Sequence, residues 1–337
     1  MSIENRLTTK VVLILLFLFA GTCFASLLFG GSRLSPASVF TALVSTGSDP
    51  ISSAIIWQLR VPRLVLGILV GAGLAATGCM LQGLLRNPLA EPYTIGISGG
   101  AALGATLAII LKLSGKFGQI ALPLAAFTGA FLSLSISYAV AARRHFSVSV
   151  LILGGVVLNF LFSALVLLIL AMASSEEVHG TILWLMGDLS STDPGMIRIA
   201  ALPITAGLIM ASFLGRKLDI LTLGEEKAAY LGLDTRSLRR VLFVVASLLT
   251  GTCVAISGIV GFVGLIIPHL FRRVLGPRHA VLIPVSAMGG AVFLPLCDTI
   301  ARTIVAPLEL PVGVVTGIIG GVFFLFFIFR KTAWEAF

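Results

Sequence analysis

Ten runs of apolar residues, most of them close to twenty residues long, fill this chain from residue 11 to residue 329, with only short polar segments between them. A bilayer core takes about 20 apolar residues per helical crossing. Strand-type alternation is absent, so helices rather than a closed barrel must satisfy the backbone in lipid. The runs read as spans at 11–29, 64–85, 94–111, 120–141, 148–172, 197–214, 241–257, a short 259–270, 281–301 and 312–329. Charged residues make up 11% of the chain, against about 25% in soluble domains. The expected fold is therefore an all-α polytopic membrane protein, one transmembrane domain over 1–337. The first run is read as a retained anchor, because no small-residue cleavage site clearly follows it near Phe29.

Ten spans put both termini on one side, and the distribution of Lys and Arg decides which. With the termini inside, the inner segments hold Arg6, Lys10, Arg86, Arg143, Arg144, Arg216, Lys217, Lys227, Arg236, Arg239, Arg240, Arg272, Arg273, Arg278, Arg330 and Lys331, or 16 of the 23 basic residues. Arg33, Arg60, Arg63, Lys112, Lys116, Arg198 and Arg302 remain outside. Cytoplasmic termini are expected. The same bias accounts for the net charge of +9, so no nucleic-acid partner is expected.

The inner segment 215–240 holds ten of the chain's 37 charged side chains. Within it, Gly224 ends an extended stretch, Glu225 and Glu226 sit where a helix N-terminus favours negative charge, and Gly232 suits a C-terminal cap. Those signals define a helix of about two turns, too short to be stable alone in water, so it must be held by packing. Its candidate contacts are Ala228, Ala229, Tyr230 and Leu231, beside Lys227. An ordinary solvated, positively charged loop is the simpler reading of the same residues.

Other chemistry is sparse. Cys23, Cys79, Cys253 and Cys297 all fall in spans without metal-ligand spacing, and are read as packing residues with no disulfide and no metal site. No phosphate-binding loop occurs, since Gly115-Lys116 is followed by Phe117. The chain is expected to be no enzyme, to have no catalytic residues and no cofactor, and to leave any ATP hydrolysis to a partner. Glycines at 67, 71, 73, 78 and 83 of the second span allow close helix approach. A weak echo at a spacing of 180 pairs Gly71 with Gly251, Ala75 with Ala255, Gly78 with Gly258, Leu85 with Leu265 and Pro88 with Pro268, as an inverted repeat would. Arg60 and Arg63 flank Pro62 just before the second span and read locally as snorkelling side chains. Arg302 stands four residues after Asp298, in reach of it on one helix face.

Several motifs occur in a fixed order: RNPLAEP at 86–92, GISGGA at 96–101, LGEE at 223–226, LGL at 231–233, GIVGFVGLIIPH at 258–269 and LPVGVVTG at 310–317. In these the chain resembles the permease subunits of bacterial ABC importers for ferric siderophores, haem and cobalamin, the FecCD-type permeases of the type II importer fold. The resemblance implies a homodimer, or a heterodimer with a similar permease, of ten-span subunits in the cytoplasmic (inner) membrane, with ATP-binding-cassette ATPase subunits below and an extracytoplasmic substrate-binding protein above. It implies that Gly224, Glu225, Glu226, Lys227, Ala228, Ala229, Leu231 and Gly232 form a coupling helix seated on the ATPase. Through WQLRVPR and DTIAR it implies that Arg60, Arg63 and Arg302 receive acidic residues of the binding protein. The start of the fifth span, Ser147, Val148 and Ser149 after Arg143-Arg144-His145-Phe146, takes the place of a cytoplasmic gate, and 181–188 that of a surface helix near the outer mouth.

A ferric siderophore is the first cargo expected, with haem or cobalamin as alternatives and oxyanions behind. A proton-coupled secondary transporter would carry ionisable groups near mid-membrane, whereas Glu91, Asp298 and Glu309 are read at span ends. A membrane-embedded lipid enzyme has only Glu91 with His269 as a loose constellation, and His269 after Pro268 is read as a capping or loop-packing residue.

Overall fold

Each apolar run folds as a helix in a computed structural model of the chain, which describes residues 3–32, 34–44, 49–143, 147–190 and 193–329. Arg33, Arg144, His145, Phe146, Arg330 and Lys331 lie outside the described residues. Helix α1 (Ile3–Leu28) leads to a short α2 (Pro36–Val44), and α3 (Pro50–Ala54) continues through a π-helical stretch, Ile55–Arg60, into α4 (Val61–Leu84). A 3-10 turn, Pro92–Ile95, precedes α5 (Ile97–Ile110), α6 (Leu113–Phe117), α7 (Ala121–Ala142), α8 (Val148–Leu170) and α9 (Ser175–Leu185). The chain continues as α10 (Pro194–Thr222), α11 (Glu225–Tyr230), α12 (Thr235–Ser257), α13 (Val263–Leu275), α14 (His279–Thr303) and α15 (Val312–Phe329). The described residues contain no strand.

Among the described residues, eight helices are long and apolar enough to cross a bilayer. The two remaining expected spans are short, with 14 residues in α5 and 13 in α13. Thirteen residues rise about 20 Å, less than the hydrocarbon core of about 30 Å. The loops before these helices bond to one another. The Tyr93 hydroxyl donates to the Val260 carbonyl at 2.9 Å and accepts the Val260 N–H at 3.1 Å. A Glu91 carboxylate oxygen accepts the N–H of Phe262 at 2.6 Å, a residue in the left-handed region at φ 68°. Irregular backbone is thereby satisfied by protein rather than left to lipid.

Helix α4 is the hub. Most of its residues from Leu64 to Gly83 are buried, and it packs on α10, α12, α13 and α14. Its contact with α14 depends on absent side chains: a Cβ added to Gly71 would collide with the Gly290 carbonyl, and one added to Gly290 with the Gly71 carbonyl. Small residues there let two helices meet backbone to backbone.

Several boundaries differ from the sequence reading. The second span begins at Pro50, not near 64, because the widened π turn absorbs the hydrogen bond and space that Pro62 removes. Helix α10 runs to Thr222 and α12 starts at Thr235, so the charged connection expected over 215–240 narrows to 223–234. Nothing in 216–222 breaks a helix, since it holds neither glycine nor proline. The glycines of the proposed repeat play different parts: Gly78 lies against the Gly264 backbone inside α4, while Gly258 ends α12 at φ 67°.

Candidate functional site

One end of the bundle gathers Arg86, Arg143, Lys227, Arg272, Arg273 and Arg278, and is the basic end below; Arg60, Arg63, Lys112, Arg198 and Arg302 mark the opposite end. Helix α11 projects at the basic end, between α10 and α12. Its first turn carries Glu225 and Glu226, and Glu225 pairs with Arg239 of α12. Its last turn closes through two bonds, Leu233 N–H to the Ala228 carbonyl at 3.0 Å and Gly232 N–H to the Ala229 carbonyl at 2.9 Å. That is the Schellman pattern, and Gly232 takes the left-handed conformation it requires, φ 78°. The expected limits of this helix, Gly224 and Gly232, coincide with its observed ends. One expected contact is corrected: Ala228 is fully buried within the chain, in a helix that packs against both α10 and α12. The outward face is Ala229, Tyr230 at 90% exposure and Leu231 at 64%, with Leu223 beside them. These are large apolar side chains left uncovered within the chain at its polar end.

At the opposite end the three arginines of the sequence reading converge. Arg60 donates to the carbonyls of Leu27 at 2.5 Å, Leu28 at 2.9 Å and Ser32 at 2.6 Å. Arg302 donates to the Ser26 carbonyl at 3.0 Å and its hydroxyl at 2.9 Å. Two cations thus satisfy the last carbonyls of α1, where the helix dipole favours positive charge. Arg63 pairs with Asp298 at 2.8 Å and with Glu309 at 2.6 Å, and Asp298 also meets Arg302 at 3.2 Å. Arg60 and Arg302 are each 3% exposed, yet with Arg63 and Glu309 they line a cavity of about 260 Å³ that opens at this end. The Asp298–Arg302 pair is the one the sequence spacing suggests, whereas the bonds of Arg60 and Arg302 to the end of α1 have no sequence signal. Glu309, which the sequence marks only as an acid at a span end, joins the arginine network; its signal is its isolation between Pro307 and Pro311.

The remaining candidates spread out. Ser147 stands at the N-cap of α8, with Val148 and Ser149 in its first turn, and α8 leaves most of its length exposed. Helix α9 covers part of 181–188 and starts on a capping box formed by Ser174 and Glu177. Bonding of the Ser174 N–H to the Glu177 carboxylate holds its pKa below the ordinary glutamate range. Trp184 is half-buried against the core. His269 is not at a helix end: it lies inside α13, edge-on to Phe323, Phe324 and Phe327 of α15. The thiols of Cys79, Cys253 and Cys297 are buried and free. Among the described residues no group of three or more His, Cys, Asp or Glu is placed to hold a metal.

This arrangement has counterparts. The model of the FecCD transport family matches residues 14–330. The hemin transport system permease protein HmuU of Yersinia pestis is 35% identical over 98% of this chain and 97% of its own length. The vitamin B12 import system permease protein BtuC of Escherichia coli (strain SE11) is 35% identical over 97% of each. A solved metal-chelate type ABC transporter in an inward-facing conformation superposes with a TM-score of 0.83 at 32% identity, over 96% of this chain and 99% of that one.

Proposed function

The chain belongs to the FecCD transport family, and from that membership we infer that it is the permease subunit of an ATP-binding-cassette importer, forming the path by which a metal chelate crosses the cytoplasmic membrane. The observation that carries this reading is the unbroken family match over 14–330, which takes in nearly every helix described above. It is a transporter subunit, and ATP hydrolysis belongs to separate ATPase subunits. Those subunits seat α11, whose exposed Ala229, Tyr230 and Leu231 are the contact, with Glu225, Glu226 and Lys227 at the rim and Gly224 and Gly232 setting its ends. A binding protein delivers cargo at the opposite end, over the cavity lined by Arg60, Arg63 and Arg302. The arginines there first hold α1, α4 and α14 together, and the positive edge they leave steers receptor carboxylates. A second copy of the permease completes the path, with Ser147, Val148 and Ser149 at its cytoplasmic gate. The termini face the cytoplasm.

Ferric siderophore is placed first as cargo, with haem and cobalamin as the alternatives, since relatives named for hemin and for vitamin B12 are equally similar in sequence. The test is uptake by the permease reconstituted with its ATPase and binding protein, using labelled ferric siderophore in competition with haem and cobalamin. Saturable uptake of the siderophore, undiminished by the other two, supports the assignment. Competition by haem or cobalamin alone moves the cargo to that class.

A further inference from the structure

A cavity of about 1,020 Å³ opens at the basic end, between the ends of α4, α10, α13 and α14. Arg86, Arg272, Arg273 and Arg278 line it against a single carboxylate, Asp219. Asp219 is already engaged. One of its oxygens accepts the His279 backbone N–H at 2.6 Å and faces His279 Nδ1 at 2.9 Å, and the other accepts the Ala280 N–H at 3.2 Å. It ties α10 to the start of α14.

Arg86 donates to the Leu221 carbonyl at 2.8 Å, and Arg273 lies over the Phe327 ring, 4.8 Å from its centroid. Half-buried Arg272 has no carboxylate partner among the described residues. A desolvated cation without a counter-charge is costly. Two residues of the lining, Gln82 and His279, are 3% and 4% exposed, and each carries a buried atom, Oε1 and Nε2, without a hydrogen-bond partner. With Nδ1–H directed at Asp219, the Nε2 of neutral His279 is an acceptor. The cavity therefore offers guanidinium forks for an anion and two acceptors that want hydroxyl donors.

We propose that this cavity binds the headgroup of an anionic glycerophospholipid, its phosphate on Arg272 and Arg86 and its glycerol hydroxyls on Gln82 and His279. Phosphate oxygens match arginine geometry, and basic pockets between membrane helices on the cytoplasmic side suit such headgroups. Arg86 lies just past the end of α4 and Arg272 in the last turn of α13, both at the basic end of the bundle. Phe327 belongs to α15, whose neighbouring Ile328 and Phe329 are 55% and 84% exposed, so acyl chains continue along an apolar helix face. A carboxylate from a protein partner would answer the arginines but bring no donor to Gln82 and His279.

The full-length permease is placed in nanodiscs of phosphatidylcholine with phosphatidylglycerol, and retained lipid is counted by native mass spectrometry after extraction. Retention of phosphatidylglycerol is expected, falling about tenfold in Arg272→Gln and in Arg86→Gln, and unchanged in Arg198→Gln at the opposite end. Arg86 is exposed, so its variant reports even where Arg272→Gln fails to fold. Gln82→Met is expected to erase the preference for phosphatidylglycerol over phosphatidic acid. Equal retention in every variant overturns the proposal. So does full displacement by inorganic phosphate, which marks a soluble-anion site, or displacement on adding the ATPase, which gives the cavity to acidic residues of that partner.

Discussion

Arg63 and Asp298, 235 positions apart in the chain, meet at 2.8 Å in a site where the aspartate side chain is only 2% exposed. Asp298 answers two cations at once, Arg63 from α4 and Arg302 from its own helix. Removing one partner of a buried pair strands the others in a poorly solvated place, at about 3–5 kcal/mol. Asp298→Ala is therefore expected to lower the thermal midpoint of the purified permease well below that of Glu309→Gln, whose side chain is 40% exposed and whose loss costs less than about 1 kcal/mol. A thiol-reactive dye reads unfolding directly, because Cys79, Cys253 and Cys297 are buried. Equal midpoints for the two variants would show that the network does not hold the helices.

The capping box of α9 makes its stability depend on pH. Because hydrogen bonds from Ser174 depress the folded-state pKa of Glu177, their contribution is fully present above the ordinary glutamate pKa and is lost as pH falls through the lower folded value. The protection factor of amide exchange over Ser175–Leu185, taken relative to the intrinsic rate at each pH, should fall on acidification in the native protein. In Glu177→Gln, whose amide oxygen still accepts the Ser174 N–H, the protection factor should not change with pH in that window.

Orientation follows from the basic end. A cysteine at Gly232 is expected to react with an impermeant maleimide only in inside-out vesicles, and one at Lys116 only in right-side-out cells. The reverse pattern would invert the topology and move α11 away from any cytoplasmic ATPase.

The sequence announced what depends on local chemistry. Helix α11 was legible because Gly224, Glu225, Glu226 and Gly232 mark its ends one residue at a time, and the long spans were legible because lipid demands length. Their packing was not, because helices apolar on nearly every side carry no stripe to say which face is inward. The sequence marks Ala228 as a partner contact although it is buried, because a helix of six residues is too short for its pattern to separate two faces; it marks His269 as a helix-end residue because Pro268 reads as a helix breaker, whereas both lie inside α13 and His269 sits among three phenylalanines. The arginines were found as a group through the WQLRVPR and DTIAR motifs. Their bonds to the end of α1 join residues at least 28 apart, beyond any periodic signal. Asp234, a natural choice for a neutral control, proves to cap α12 by accepting the Ser237 N–H at 3.0 Å.

The two faces of α11 predict different failures. Ala229→Trp enlarges an exposed position, so fold and insertion should be intact while co-purification with the ATPase drops. Ala228→Pro removes the bond from its N–H to the Gly224 carbonyl and disturbs a buried contact, costing about 3 kcal/mol in the helix itself. It should loosen α11 as well as uncouple ATP hydrolysis from uptake, with Ser237→Gln as the exposed control. Normal assembly and coupling in both variants would return 224–232 to the status of a solvated loop.

The central claim is that this chain conducts a chelate on energy supplied by another subunit. The measurement that bears on it most directly is accumulation of labelled ferric siderophore in proteoliposomes holding the permease, its ATPase and its binding protein, with either ATP or a proton gradient as the energy source. Uptake with ATP, abolished when the ATPase is omitted and indifferent to the proton gradient, is the predicted result. Uptake driven by the gradient in vesicles that contain the permease alone would contradict it.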